Sequence, residues 1–269
     1  MSDVGLSFWD HLDLLRKHIF RIAIMLAVFT VIGVLIVPQI FDSVILAPCS
    51  SDFITYRFIA RLGRYLPFLS EFGDQSFSIE VININVTSQF MIFLSTSLAF
   101  GVVCLIPFAL FEIWKFIKPA LYENEIRNIK FVFSIGGILF LTGTMIGYFL
   151  VFPLVFRFLV TFELSRQIEN MVSLDSYMDN FFSLIIIMGI VFELPIICWL
   201  LSAIGILKRS FFNKYRRHAI VITLIVAAMI TPSGDPFSLF IVFLPLYLLW
   251  EASAMLVKKD TVTQDNTYN

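Results

Sequence analysis

The residue of this chain best placed to do chemistry is Glu193, in Phe192-Glu193-Leu194-Pro195. It is the only acidic or basic residue in an apolar run from Phe181 to Leu207. As a helix that run spans roughly 40 Å, enough to cross a hydrocarbon core ~30 Å thick. A carboxyl group at such depth costs at least ~3 kcal/mol, so it should face protein, water or a bound partner rather than lipid. Pro195 gives no backbone N–H, and its ring loosens the helix near Ile190 and Val191, opening space beside the acid. A neutral Glu193 bonded to a backbone carbonyl within a helix bundle would satisfy the same constraint; a polar site that meets another molecule is the reading preferred.

The elements that carry Glu193 follow from composition. Of 269 residues, 59% are hydrophobic and 14% charged, and the mean hydropathy is +0.89, which marks an integral membrane protein. Apolar runs near 20 residues and 31 phenylalanines predict a helical bundle, because barrel strands would alternate. Cys49, Cys104 and Cys198 form no close pair, so neither a disulfide framework nor a metal site is indicated. Met1 to His18 lacks the small-residue cleavage site of a signal peptide, so the first apolar run should stay in the mature protein. GxSG, HExxH and P-loop patterns are absent, and His11, His18 and His218 lie at span edges; the reading is not an enzyme, with no cofactor and no nucleic-acid partner.

Taken in order, Ser7 to Phe20 predicts an amphipathic helix along the membrane surface, with Phe8, Leu12, Leu15 and Ile19 on one face and Asp10, Asp13, Arg16 and Lys17 off it. Span 1 is expected over Ile22–Ile40, stopping at Pro38. Phe41 to Val86 reads as a structured connection with a helix over Phe53–Leu69 and an extended segment at 82–86. Span 2 covers Met91–Phe111, and a polar turn follows over Lys115–Lys130. Span 3 covers Phe131–Phe152, with apolar residues continuing past Pro153 to Phe162; it is either long and kinked or followed by an interfacial helix. Span 4 is the Glu193 run. Span 5, His218–Ile230, is short for a bilayer, and Thr231-Pro232-Ser233-Gly234-Asp235-Pro236 turns the chain into span 6, Phe237–Met255. Residues 256–269 read as a disordered tail. Six spans put both termini on one side. Of the 19 lysines and arginines only Arg57, Arg61, Arg64, Arg157 and Arg166 fall on the other, so both termini are expected in the cytoplasm.

Several segments together resemble the TatC family, the multispanning receptor subunit of the twin-arginine protein translocase. They are His11-Leu12 with Leu15-Arg16-Lys17, Ala47-Pro48, Trp114 through Tyr122 with Glu125, Gly147-Tyr148-Phe149 with Phe152-Pro153, Phe192 through Pro195, Thr231-Pro232 with Asp235, and Pro245 and Glu251. The resemblance implies six helices in a concave, glove-like bundle in the bacterial inner membrane. It also implies an oligomeric complex with single-span partners of the TatA and TatB type, in contact with membrane lipid. Its task would be recognition of twin-arginine signal peptides on folded cargo, with transport driven by the proton-motive force.

The resemblance also assigns residues. Glu125 matches the family acid of the first cytoplasmic loop, and a carboxylate suits an arginine pair because guanidinium offers two parallel bonds where lysine offers a point charge. One such bond, worth roughly 1.5–3 kcal/mol, gives selectivity of one or two decades, so a second acid is expected. The family has Glu before its Leu-Arg motif where this chain has Leu14, which leaves Asp13 and Asp10 as substitutes beside Arg16, or as mere charge balance. Phe116 and Tyr122, flanking Pro119, match either an aromatic rim for the peptide or interface anchors. Glu193 matches a position that meets a polar residue of a partner helix. Thr231 and Ser238 would support partner binding, since Leu239 stands where the family carries Gln, and Asp235 would cap span 6. Pro48 and Pro195 are structural matches. The competing reading is a proton-coupled transporter with Glu193 as relay, which predicts further intramembrane acids and an inverted repeat.

Overall fold

Apolar residues at helical spacing make Phe8–Ile40 a single helix of 33 residues (α1). The surface helix and first span expected as two elements are therefore one, because Ile19-Phe20-Arg21-Ile22-Ala23 offers no proline or glycine to break between them. The helix also runs through Pro38 and ends two residues later in a π-helical turn, Phe41–Ile45, and a 3-10 turn, Ala47–Cys49. The computed structural model describes residues 8–63, 79–117, 123–165, 167, 170–203 and 205–257. The other helices are α2 (Ile54–Gly63), α3 (Ser88–Ile117), α4 (Glu123–Ile146), α5 (Phe152–Thr161), α6 (Leu174–Val191), α7 (Leu194–Ala203), α8 (Arg209–Ile230) and α9 (Pro236–Leu256). Of the helix expected over Phe53–Leu69, the described part is α2. The 256–269 tail lies almost wholly outside the described residues.

One parallel bridge departs from an all-helical chain. In it β1 (Val81–Ile82) pairs with β2 (Val172–Ser173), Val81 opposite Val172, so the two long connections are joined. Nearby, the Tyr56 hydroxyl lies 3.0 Å from the carbonyl oxygen of Pro48 and 3.1 Å from that of Pro153. The Arg157 guanidinium lies 5.1 Å from the Tyr56 ring centre. Burial pushes the Tyr56 hydroxyl well above its usual pKa, against the opposing pull of the Arg157 charge. Pro48 is thus a buried acceptor as well as a stiff turn residue.

Among the described residues, five stretches are long and apolar enough to cross a membrane: Leu12–Cys49, Ser88–Ile113, Ile135–Thr161, Leu174–Ser202 and Pro236–Leu256. α8 is not among them. Its first turns carry Arg209, Lys214, Arg216 and Arg217, and its apolar remainder is short. The third stretch is continuous through a π-helical turn, Gly147–Val151, which passes Pro153 into α5 without a break. The fourth, expected as one kinked helix, is two: the chain turns at Phe192-Glu193 and restarts as α7, with Pro195 in the first turn where its missing N–H costs little.

Antiparallel pairs build the bundle. On α1 and α3, His18 meets Glu112, Thr30 meets Gly101 and Gly33 meets Ser97. On α4 and the α6–α7 pair, Gly147 meets Ile185, Gly143 meets Met188 and Phe192, and Gly136 meets Glu193 and Ile196. The core lies on α5 and α6, where Phe152, Phe156, Tyr177 and Phe181 pack face to edge. At Gly143 a Cβ would stand 2.7 Å from the Met188 carbonyl oxygen and 2.6 Å from Phe192 Cβ, so the backbones touch. Gly143→Ala is expected to destabilise the chain by about 1–3 kcal/mol through overpacking, read as a lower thermal midpoint in detergent.

Candidate functional site

Two buried carboxylates organise the interior, and they are treated in opposite ways. Glu193 follows the turn at Phe192, whose N–H donates to Met188 O at 3.1 Å, and its own N–H donates to Ile190 O at 3.0 Å. The residue is 8% exposed, yet neither carboxyl oxygen has a hydrogen-bond partner among the described residues. Room for it comes from Gly136 of α4. A Cβ there would lie 3.2 Å from Glu193 Oε2, 3.1 Å from Ile196 Cδ1 and 3.3 Å from Leu110 Cδ1. The acid therefore sits between α3, α4 and α7, in an apolar setting that makes an unmet hydrogen bond expensive.

Glu112, one residue past the end expected for span 2, is not among the candidates that the sequence singles out, and the structure gives it partners on both oxygens. It is 2% exposed. His18 Nδ1 lies 2.6 Å from Oε2, Lys115 Nζ 2.9 Å from Oε1, and Arg21 NH1 3.5 Å from Oε2. The sequence did hold a signal: Glu112, Lys115 and Phe116 share one face of α3 at i, i+3 and i+4, and His18 and Arg21 share one face of α1. What it lacked was the crossing that joins the two faces.

That crossing fixes where the other candidate residues stand. Along residues 12–20 of α1 only Leu14 and His18 are half-buried; Asp13 and Arg16 are exposed, the latter with its guanidinium 5.5 Å from the Phe20 ring centre. Leu14 thus occupies the face turned to α3, and Asp13 points about 100° away from it. Asp10 lies in the first turn of α1. Phe116, in the last turn of α3, meets the His18 ring edge-on at 6.0 Å. Glu125 was expected in a loop but lies in the first turn of α4. Pro119 and Tyr122 lie outside the described residues. α1, α3 and α4 therefore bring Asp10, Asp13, Arg16, Phe116 and Glu125 to one end of the bundle.

Thr231, Ser238 and Asp235 belong elsewhere. Thr231 caps α8 through its N–H to Ala227 O at 2.9 Å. Asp235 caps α9, its Oδ1 accepting from Ser238 N–H at 2.8 Å while Ser233 donates to Oδ2. Partial burial would raise the Asp235 pKa, but the bonds from Ser233 and Ser238 outweigh it and hold the carboxyl below its usual range. The turn packs near Phe158 of α5, whose ring stacks on Phe237 at 4.6 Å. Glu193, level with Leu110 and Gly136, does not share that place. The other end of the α8–α9 hairpin is held by Arg216, whose Nε and NH2 each lie 2.7 Å from a Glu251 oxygen. No group of three or more metal-ligating side chains occurs among the described residues.

Residues 10–245 match the family described as "Sec-independent protein translocase protein (TatC)". A relative of that name from Blattabacterium of Periplaneta americana is 34% identical over 249 residues, 92% of this chain and 93% of its own. Another, from Koribacter versatilis, is 29% identical over 247 residues, 91% of this chain and 83% of its own. A crystal structure described as the twin arginine translocase receptor TatC in DDM superposes with a TM-score of 0.70 at 26% identity, covering 92% of this chain and 99% of that one.

Because Glu193 has no hydrogen-bond partner among the described residues, it should stabilise nothing in the chain on its own. Glu193→Leu, which keeps volume and removes the unmet polar atoms, is expected to raise stability by about 1–3 kcal/mol in a detergent melt. A lower midpoint would mean that the carboxyl is already bonded within the fold.

Proposed function

The chain belongs to the TatC family of Sec-independent protein translocase proteins, and from that premise we propose that it is the twin-arginine receptor subunit of a bacterial inner-membrane export complex. It would bind twin-arginine signal peptides of folded cargo and scaffold single-span partners of the TatA and TatB type for transport driven by the proton-motive force. The observation that carries this reading is the convergence, at one end of the bundle, of the first turns of α1, the last turn of α3 with Phe116 and the first turn of α4 with Glu125. The sequence assigns most of the chain's lysines and arginines to that side, which would orient it to the cytoplasm together with both termini. α8 would then complete six helices of a concave bundle as a short span that thins the bilayer or lies against a partner.

Each acid has a distinct task in this scheme. Glu125 reads the arginine pair through a bidentate carboxylate–guanidinium bond. Glu193 waits for a donor from a partner helix, which supplies the hydrogen bond that the fold does not. A proton relay through Glu193 fits less well. Glu112 and Glu251, near span ends, are both held in ion pairs, and the family is a protein translocase component.

Two measurements separate these tasks. Glu125→Ala should weaken crosslinking to a twin-arginine peptide by about ten- to a hundredfold while single-span partners still copurify. Glu193→Ala should do the reverse, leaving the peptide bound and the partners lost. Unchanged peptide crosslinking in the first variant, or intact assembly and full export in the second, would remove the corresponding assignment.

A further inference from the structure

The Glu112 cluster has no part in the scheme above, and its geometry points to one. Deepening the receptor reading and resting on it, we infer that Glu112 is a positioning residue of the peptide site. Through His18 it clamps the first turns of α1 to the end of α3 and thereby sets Phe116 for the apolar part of the signal peptide.

Direct reading of arginine by Glu112 is disfavoured on three counts. Its side chain is only 3% exposed. Both oxygens are engaged, Oε1 by Lys115 and Oε2 by His18 and Arg21. Two permanent cations, Lys115 and Arg21, on one carboxylate leave the cluster net positive, which repels an incoming arginine pair.

Positioning, by contrast, follows from where the bonds run. Glu112 and Phe116 lie one turn apart on α3, so His18 reaches both: its Nδ1 bonds the carboxylate at 2.6 Å, and its ring meets Phe116 edge-on at 71°. Arg21 adds a second, longer contact to Glu112 one turn on, and α1 meets α3 again at Thr30 and Gly33, the former about 18 Å beyond His18 at the helical rise. Among the described side chains of α1 before Thr30, His18 is the polar member of the half-buried stripe, and Leu14, one turn before it, offers α3 no charge. A buried carboxylate held by a hydrogen bond resists sliding better than an apolar contact, because moving it away leaves a charge without that partner.

The test uses the full chain in nanodiscs, a labelled synthetic twin-arginine signal peptide and its twin-lysine counterpart. Glu112→Ala is expected to weaken twin-arginine binding about tenfold, whereas Glu112→Gln, which still accepts from His18, should stay within about threefold. Phe116→Ala should weaken binding alone but add nothing to Glu112→Ala, the non-additivity expected if one acts through the other. The preference for arginine over lysine should survive in every variant, since Glu125 reads it, and retention of a single-span partner reports an intact fold.

Independent, multiplicative losses for Glu112→Ala and Phe116→Ala would overturn the inference, and so would wild-type binding by Glu112→Ala. A collapsed arginine preference would make Glu112 a reader instead. Should Glu112→Ala fail to retain the partner, His18→Ala, which leaves Glu112 paired with Lys115, must give the same loss, and wild-type binding by it ends the idea. An inert Phe116→Ala would also end it while leaving the receptor reading to stand on Glu125→Ala.

Discussion

A carboxylate taken out of water must find hydrogen-bond donors or impose its desolvation cost on the fold, and this bundle contains both outcomes within a few turns of each other. Glu112 is nearly inaccessible but has His18, Lys115 and Arg21 on its oxygens. Glu193 is nearly as buried and has none among the described residues. The first outcome makes a joint between helices, since moving α1 against α3 would strand the charge. On the proposed reading the second makes a site, since a donor from another molecule would remove that cost.

The backbone around the two acids differs. Glu112 lies within α3, just before its last turn, so the position of its carboxyl is set by a helix and does not depend on a loop. Glu193 lies at the junction of α6 and α7, where the chain turns and restarts, with Pro195 accommodated in the first turn of the new helix. Gly136 faces it with no side chain of its own, so the carboxyl occupies space that any larger residue would fill. A continuous helix at 192–193 would have carried the acid in a plain helical stripe. The turn instead leaves α7 free to pack on α9 while α6 packs on α4.

Composition and run length made the helical membrane character and most span positions legible, because burial in lipid demands long apolar helices and little else satisfies the backbone there. Local signals failed where tertiary packing decides. Pro38 reads as a stop, yet α1 passes through it and widens into a π turn only afterwards. Pro195 reads as loosening the helix near Ile190 and Val191, yet the chain breaks just after them, at Phe192-Glu193. Glu125 reads as a loop residue because polar residues precede Phe131, but those residues form the first turns of α4. The site was legible in part for the same reason: single residues such as Glu193 carry their cost in their immediate neighbours, whereas Glu112 meets α1 through His18, 94 positions away.

The magnitude of the unmet bond at Glu193 bears on the kind of assembly it suits. Relief of one buried unsatisfied group is worth roughly 1–3 kcal/mol, or one to two decades in an equilibrium constant. That is enough to select a helix that offers a donor at the right depth over one that does not. It is too little to hold a complex together without apolar packing, so on the proposed reading the choice of partner and the strength of attachment would be set by different residues. On the proposed reading a translocase benefits from that separation, because a partner chosen by one polar contact can be exchanged when that contact is broken, without unpacking the α4–α6 core on which the subunit itself depends.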